Sequence, residues 1–176
     1  GAFEAYWKRN LPDFSSERDV NTRRELYWNA HMLESSAVYD SYFDETFVPS
    51  GAAGTYHYGR NISNRDHLAA VLPLCYMNPD LAKSSLKYVL KHVGFDGRLY
   101  EGNEGFGCVP FVSQGENGLH NELMKVVAEY LRVTGDYAFL DERVTLYPMG
   151  DGEYLKVIEV LERCFLFSDH MSAVSL

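Results

Sequence analysis

The sequence predicts an all-α fold made of helical hairpins, with long glycine-rich loops gathered at one end. Three observations predict it. Apolar residues recur at three- and four-residue intervals over five segments. Glycines interrupt that pattern twice, at 51–59 and at 94–118. Strand-like alternation is confined to two short runs, Phe47-Val48 and Cys108 to Val112, which read as minor strands pairing beside the loops.

The first helix is expected near 21–43, where Leu26, Ala30, Leu33, Ala37 and Phe43 form an apolar stripe widened by Tyr27, Trp28 and Tyr42. An aromatic loop follows, with Pro49, Gly51, Gly54 and Gly59 set among Tyr56, His57 and Tyr58. Ser63 and Asp66 form a capping-box-like start for a second helix near 64–77, whose run Leu68 to Met77 suggests burial on most sides. Asn78-Pro79 supplies a cap residue and a proline at the first helical position, starting a third, amphipathic helix near 79–93 that Gly94 closes. The second glycine-rich loop then leads to a fourth, buried helix near 119–134, stopped by Gly135. After a short helical turn over 136–142, a fifth helix near 152–167 carries Tyr154, Val157, Ile158, Leu161 and Phe165.

The order is a repeat: long loop, buried helix, short connection, amphipathic helix, then the same again. Asp66 and Glu122 open the two buried helices about 56 positions apart, near the period of repeated helical units. A closed ring of six such hairpins needs about 330 residues at that period, and the 176 residues supply about half. The chain also begins Gly1-Ala2-Phe3 without a Met or a signal-peptide pattern, so it is expected to be one partial domain, 1–176, of a longer protein. Apolar edges left by missing neighbours are expected to meet the remaining hairpins of the parent chain or to drive self-association.

Composition narrows the partners. With 25 acidic against 16 basic residues the net charge is -9, which repels a phosphate backbone, so nucleic acid is not an expected partner. The longest apolar stretch, Leu68 to Met77, contains Pro73 and falls well short of the roughly 20 residues of a membrane span; no membrane is expected either. Three cysteines, Cys75, Cys108 and Cys164, are an odd number without paired spacing, which favours a reducing, cytoplasmic compartment.

Several chemistries find no motif. There is no phosphate-binding loop, and Gly102 to Gly107 reads G-x-x-G-x-G, the reverse of a dinucleotide fingerprint. Ser113 lacks the first glycine of a nucleophile elbow. His31, His57, His67, His92, His120 and His170 show no metal-ligand spacing and read as surface or satisfied core residues, so no metal and no organic cofactor is expected. What remains is the loop end of the hairpins. It gathers Tyr56, His57, Tyr58, Arg60, Asn64, Arg65, Asp66, Glu101, Glu104, Gln114, Glu116, Asn117, His120, Asn121 and Glu122. Aromatic faces that stack on the C–H faces of sugars, beside carboxylates, Arg and Asn that grip hydroxyls, have the composition of a carbohydrate cleft. The same residues also read as solvated loops on a helical domain.

Four stretches carry a resemblance: Tyr39 to Phe43, Gly51 to Tyr58, Asn64-Arg65-Asp66-His67-Leu68, and Asn121-Glu122-Leu123 leading to Thr134-Gly135-Asp136 and Phe139-Leu140-Asp141-Glu142. Together they resemble the six-hairpin, (α/α)6-toroid glycosidases, and among these the cellobiose-phosphorylase-type glycoside phosphorylases and their hydrolase relatives. The likeness runs from about Trp28 to Phe167 and covers the front part of that toroid. It implies a carbohydrate-active enzyme that cleaves a glycosidic bond in a disaccharide or oligosaccharide, with inorganic phosphate as co-substrate if it is a phosphorylase. By resemblance Arg65 and Asp66 bind sugar hydroxyls; Tyr56, Tyr58, His120 and Asn121 of the loop end are the further candidates for binding the substrate. Asp66, in a helix's first turn, is suited to accept hydroxyl hydrogen bonds as the anion; it also reads as a cap of its own helix.

The family's general acid is an Asp at the start of the next buried helix. Counting back from Thr134-Gly135-Asp136 reaches Gly118 and Leu119, so the candidates are the neighbouring Glu116, then Glu122. The second participant, a base carboxylate or phosphate, comes from later hairpins in the family, and this stretch alone is not expected to be active. Two alternatives stand beside the enzyme: a noncatalytic carbohydrate-binding or scaffold module, and a sugar epimerase or isomerase on a related toroid using His57 or His120.

Overall fold

Aromatic residues placed in the first expected helix instead build a hairpin. The computed structural model describes residues 1–49, 63–104, 109–111, 118–147 and 154–174. Over these the chain is mostly helical, with three small antiparallel hairpins. In order come α1 (Ala2–Asn10), α2 (Val20–Ser35), β1 (Val38–Asp40), β2 (Glu45–Phe47), α3 (Asn64–Met77) and α4 (Pro79–Leu90). They are followed by β3 (Gly102–Glu104), β4 (Val109–Phe111), α5 (Leu119–Thr134), a 3-10 turn (Tyr137–Asp141), β5 (Arg143–Thr145), β6 (Tyr154–Lys156) and α6 (Val157–Val174).

Several expectations are corrected. The first helix stops at Ser35 rather than near residue 43. Beyond it Asp40 Oδ1 accepts from the Tyr42 and Phe43 amides at 2.8 and 3.2 Å, and Asp44 turns at φ 53°. A side chain that bonds its own downstream backbone offers the chain a turn in place of a helix. Phe47 therefore pairs with Val38, while Val109–Phe111 pairs with Gly102–Glu104; the two runs singled out in the sequence do not pair with each other. The third helix ends at Leu90, before Gly94, and the fifth begins only at Val157, after a strand. Ser63 makes no side-chain cap, so the capping box does not form, and α1 has no counterpart in the expected elements.

Other signals hold. Asn78 Oδ1 accepts from the Leu81 amide at 3.2 Å and Pro79 occupies the first turn of α4. Gly135 ends α5 at φ 70°, a left-handed position that costs a residue with a Cβ about 1 kcal/mol.

The helix enclosed on most sides is α4, not α3. It packs against α3, α5 and β2, and Ala82, Ser85, Leu86, Tyr88, Val89 and Leu90 are all buried. Leu68, Val71 and Leu74 of α3, Leu123, Val126 and Tyr130 of α5, and Val157, Val160 and Cys164 of α6 complete one core. Each fully buried aliphatic side chain contributes about 1.5–3 kcal/mol. A second cluster seals the β1–β2 hairpin to α4, with the Tyr88 ring stacked on Phe47 at 3.9 Å and meeting Phe43 edge-on at 5.2 Å.

One face of α4 carries Lys83, Lys87 and Lys91 at successive turns. Lys91 Nζ lies 2.7 Å from Glu45, which also accepts from Ser84 Oγ at 2.7 Å; Lys83 binds Asp136 at 2.9 Å and Glu142. Burial opposes the charge on Lys83, but Glu142 and Asp136 outweigh it and hold the ammonium above its ordinary pKa. Lysines four residues apart lie on one side of a helix, and here they tie the hairpin and the 3-10 turn to the same helix.

Candidate functional site

The starts of α3 and α5 lie at the same end of the molecule, held by one segment. At the α3 start the Asn64 amide donates to the Glu101 carbonyl at 2.6 Å and Asn64 Nδ2 donates to the Tyr100 carbonyl at 2.7 Å. At the α5 start the Leu99 amide donates to His120 Nε2 at 3.0 Å. Three consecutive residues, 99–101, thus bridge both first turns. At the far end Tyr76 of α3 donates to Glu129 of α5 and accepts from Arg132 at 2.7 Å. Arg132 and Tyr76 hold the Glu129 carboxyl down at about 2. Fastened at both ends, α3 and α5 run parallel.

Parallel helices present their positive ends together. The residues exposed there are Arg65 and Asp66 on α3 and Asn121 on α5, with Glu122 half-buried beside them. Glu122 has the Lys125 ammonium 3.3 Å away. That ion pair engages Glu122 Oε1 in the first turn of α5. His120 accepts a backbone N–H at Nε2, which places its own proton on Nδ1 if neutral, and its ring stacks on Phe167 at 5.3 Å. It thereby holds the 99–101 segment in place. Tyr56, Tyr58 and Glu116 fall outside the described residues, as do His57 and Arg60.

The inner side of the α3 start is less complete. Asn64 and His67, one helical turn apart, are fully buried. His67 Nδ1 donates to the Val48 carbonyl at 2.8 Å. Its other nitrogen, Nε2, and Asn64 Oδ1 have no hydrogen-bond partner among the described residues. Burial drives the His67 pKa down to about 4 against the upward pull of the Val48 bond and of Asp66. The ring is therefore neutral at physiological pH, and both orphan atoms are acceptors. The sequence places His67 among surface or core histidines; it is a core histidine, packed against Phe47 at 4.8 Å. The bridging role of residues 99–101 has no sequence signal, because it runs through backbone atoms.

Concavities also lie away from this end. A groove of about 760 Å³ runs between α2 and the C-terminal half of α3, lined by Leu26, Met32, Leu33, Pro73, Tyr76 and Met77 among others. A cavity of about 750 Å³ lies between α1 and α2. No helix among the described residues is long and apolar enough to cross a membrane. No protein-family model and no curated protein matches the chain.

Proposed function

We propose that the chain forms part of a carbohydrate-active catalytic domain, a glycoside hydrolase or phosphorylase of the (α/α)6-toroid kind, with the shared end of α3 and α5 as its sugar-binding face. The observation that carries this reading is the joint fastening of the two helix starts by residues 99–101. It sets Arg65, Asp66, Asn121 and Glu122 on one end of two parallel helices, where anionic acceptors are stabilised and a guanidinium supplies donors. Such a set grips neighbouring sugar hydroxyls. Cleavage needs, besides, a proton donor for the leaving oxygen and either a base holding water or phosphate as nucleophile. On this reading Glu116 takes the donor's part ahead of Glu122, since Glu122 has Lys125 beside it. The groove between α2 and α3 receives the next hairpin or a second copy. A reducing, cytoplasmic setting accompanies the proposal: Cys75 and Cys164 are buried free thiols, pushed by burial up to about 11 and about 12.

The Glu122 surroundings favour one second reading, a noncatalytic module that binds sugar at the same face. Sugar release from a disaccharide panel by the protein with its neighbouring hairpins, with and without inorganic phosphate, separates the readings. Phosphate-dependent sugar 1-phosphate means a phosphorylase and phosphate-independent free sugar a hydrolase. Binding without turnover means the module, and neither binding nor turnover removes the carbohydrate reading. In an active protein Asp66→Asn lowers kcat/KM at least tenfold while the melting temperature moves little.

A further inference from the structure

The cavity between α1 and α2 is walled by rings that meet at steep angles. Phe3 and Trp7 have centroids 6.1 Å apart at 71°, Phe3 and His31 6.4 Å apart at 67°, and Trp7 and His31 4.2 Å apart at 59°. Tyr27 contributes a fourth ring. Rings so inclined do not make the flat platform on which a sugar stacks; they make a corner around a rounded body. Trp7 Nε1 and His31 Nδ1 are buried and have no hydrogen-bond partner among the described residues.

The charges at its rim are unbalanced. Glu4 is matched by Lys8 at 2.7 Å, whereas Asp13 has no ion pair among the described residues. Its carboxylate accepts from the Ser15 amide at 2.8 Å, from Ser15 Oγ at 2.9 Å and from the Tyr27 hydroxyl at 3.3 Å. Those bonds fix an anion beside the aromatic walls and orient the Tyr27 ring. A cation over aromatic faces is attracted by the ring quadrupoles, and a nearby fixed carboxylate adds to that attraction.

We infer that this cavity binds an organic cation with an apolar shell, an alkylated ammonium group, caged by Phe3, Trp7, Tyr27 and His31 with Asp13 as counter-charge. The inference is independent of the sugar-binding face, because no residue at the starts of α3 and α5 lines the cavity. The test uses Trp28→Phe, which leaves Trp7 as the sole tryptophan and its emission as the readout. Choline and tetramethylammonium are titrated against 3,3-dimethyl-1-butanol, which keeps choline's shape and replaces the charged nitrogen by carbon. Saturable change in Trp7 emission is expected for both cations, with binding at least ten times weaker for the alcohol. Adding Asp13→Asn weakens cation binding about fivefold and flattens its salt dependence, and Glu4→Gln, which leaves Lys8 unmatched, weakens it as well. Equal binding of alcohol and cation, saturation only by disaccharides, or no saturation by 50 mM cation (about a hundredfold above a Kd near 0.5 mM) would each overturn the inference.

Discussion

Phe43, Phe47 and Tyr88 are almost fully withdrawn from solvent between α4 and the β1–β2 hairpin, while Phe3, Tyr6 and Trp28 on α1 and α2 keep half or more of their surface. Both regions are rich in aromatic residues, and nothing in the residue types separates them. What separates them is the number of elements that close over each ring. The Tyr88 ring has Phe47, Phe43, His67 and His92 around it, from the hairpin, from α3 and from the turn that follows α4. On α1 no residue is buried, and on α2 only Ala30 is. An aromatic stripe on a helix thus marks a surface that wants covering; whether it is covered depends on elements far away in sequence.

The sharpest way to test this contrast is to cut one side chain from each region. Leu86→Ala, at the centre of the enclosed helix, is expected to lower unfolding free energy by about 2–5 kcal/mol through the cavity it leaves. Urea denaturation followed by circular dichroism measures it, and a loss under 1 kcal/mol would mean that α4 is not the centre of the core. A pH series probes the enclosed aromatics next. His67 titrates near 4 in the fold against 6.5 in its free form, so between those values the unfolded chain binds the extra proton. Stability present above pH 6.5 is therefore lost as the pH falls toward 4, by up to about 3 kcal/mol. In His67→Phe that part of the pH dependence should vanish from the urea midpoints, and an unchanged slope would sink the assignment.

Backbone contact gives a third comparison. Gly97 adopts φ +89°, and a Cβ there would stand 2.3 Å from the Arg163 carbonyl of α6, whereas around Gly135 the space is open. Gly97→Ala should cost about 2–3 kcal/mol and Gly135→Ala about 1. Equal melting temperatures for the two variants would show that the 94–98 turn does not press on α6. The smallest effect belongs to the open region: Trp28→Ala is expected within about 0.5 kcal/mol of the parent, and a larger loss would reveal a covering partner on α2.

The same contrast explains what was legible in the sequence. Local punctuation is legible at Asn78-Pro79 and Gly135, which act through bonds within a few residues of themselves, but not at Ser63, which makes no side-chain cap, or at Gly94, which lies beyond the end of α4. The extent of α5 followed from its own pattern, 119–134. The Tyr39–Phe43 run was misread because its spacing suits a helix, and only Asp40's bonds to Tyr42 and Phe43 decide for a turn. The ranking of α3 above α4 in burial failed for a related reason. Apolar content tells how much surface is available to bury; the face of α3 bearing Pro73, Tyr76 and Met77 stays partly open along the groove beside α2. At the candidate site, the repeating order of loop, buried helix and amphipathic helix anticipated that Arg65, Asp66 and Glu122 share an end. His120's engagement with Leu99, 21 residues away, could not be anticipated, because any residue except proline supplies the same amide.

That last point bears on how this end of the molecule can vary. Residues 99–101 join the two helix starts through their own amides and carbonyls, so the joint reads chain length rather than side-chain identity. A one-residue insertion or deletion between Gly97 and Gly102 would shift those backbone groups out of register and should not be tolerated in a library of variants. Relatives of this chain should then keep a fixed spacing there even where their letters differ, and that spacing is a better search key than any single residue of the site.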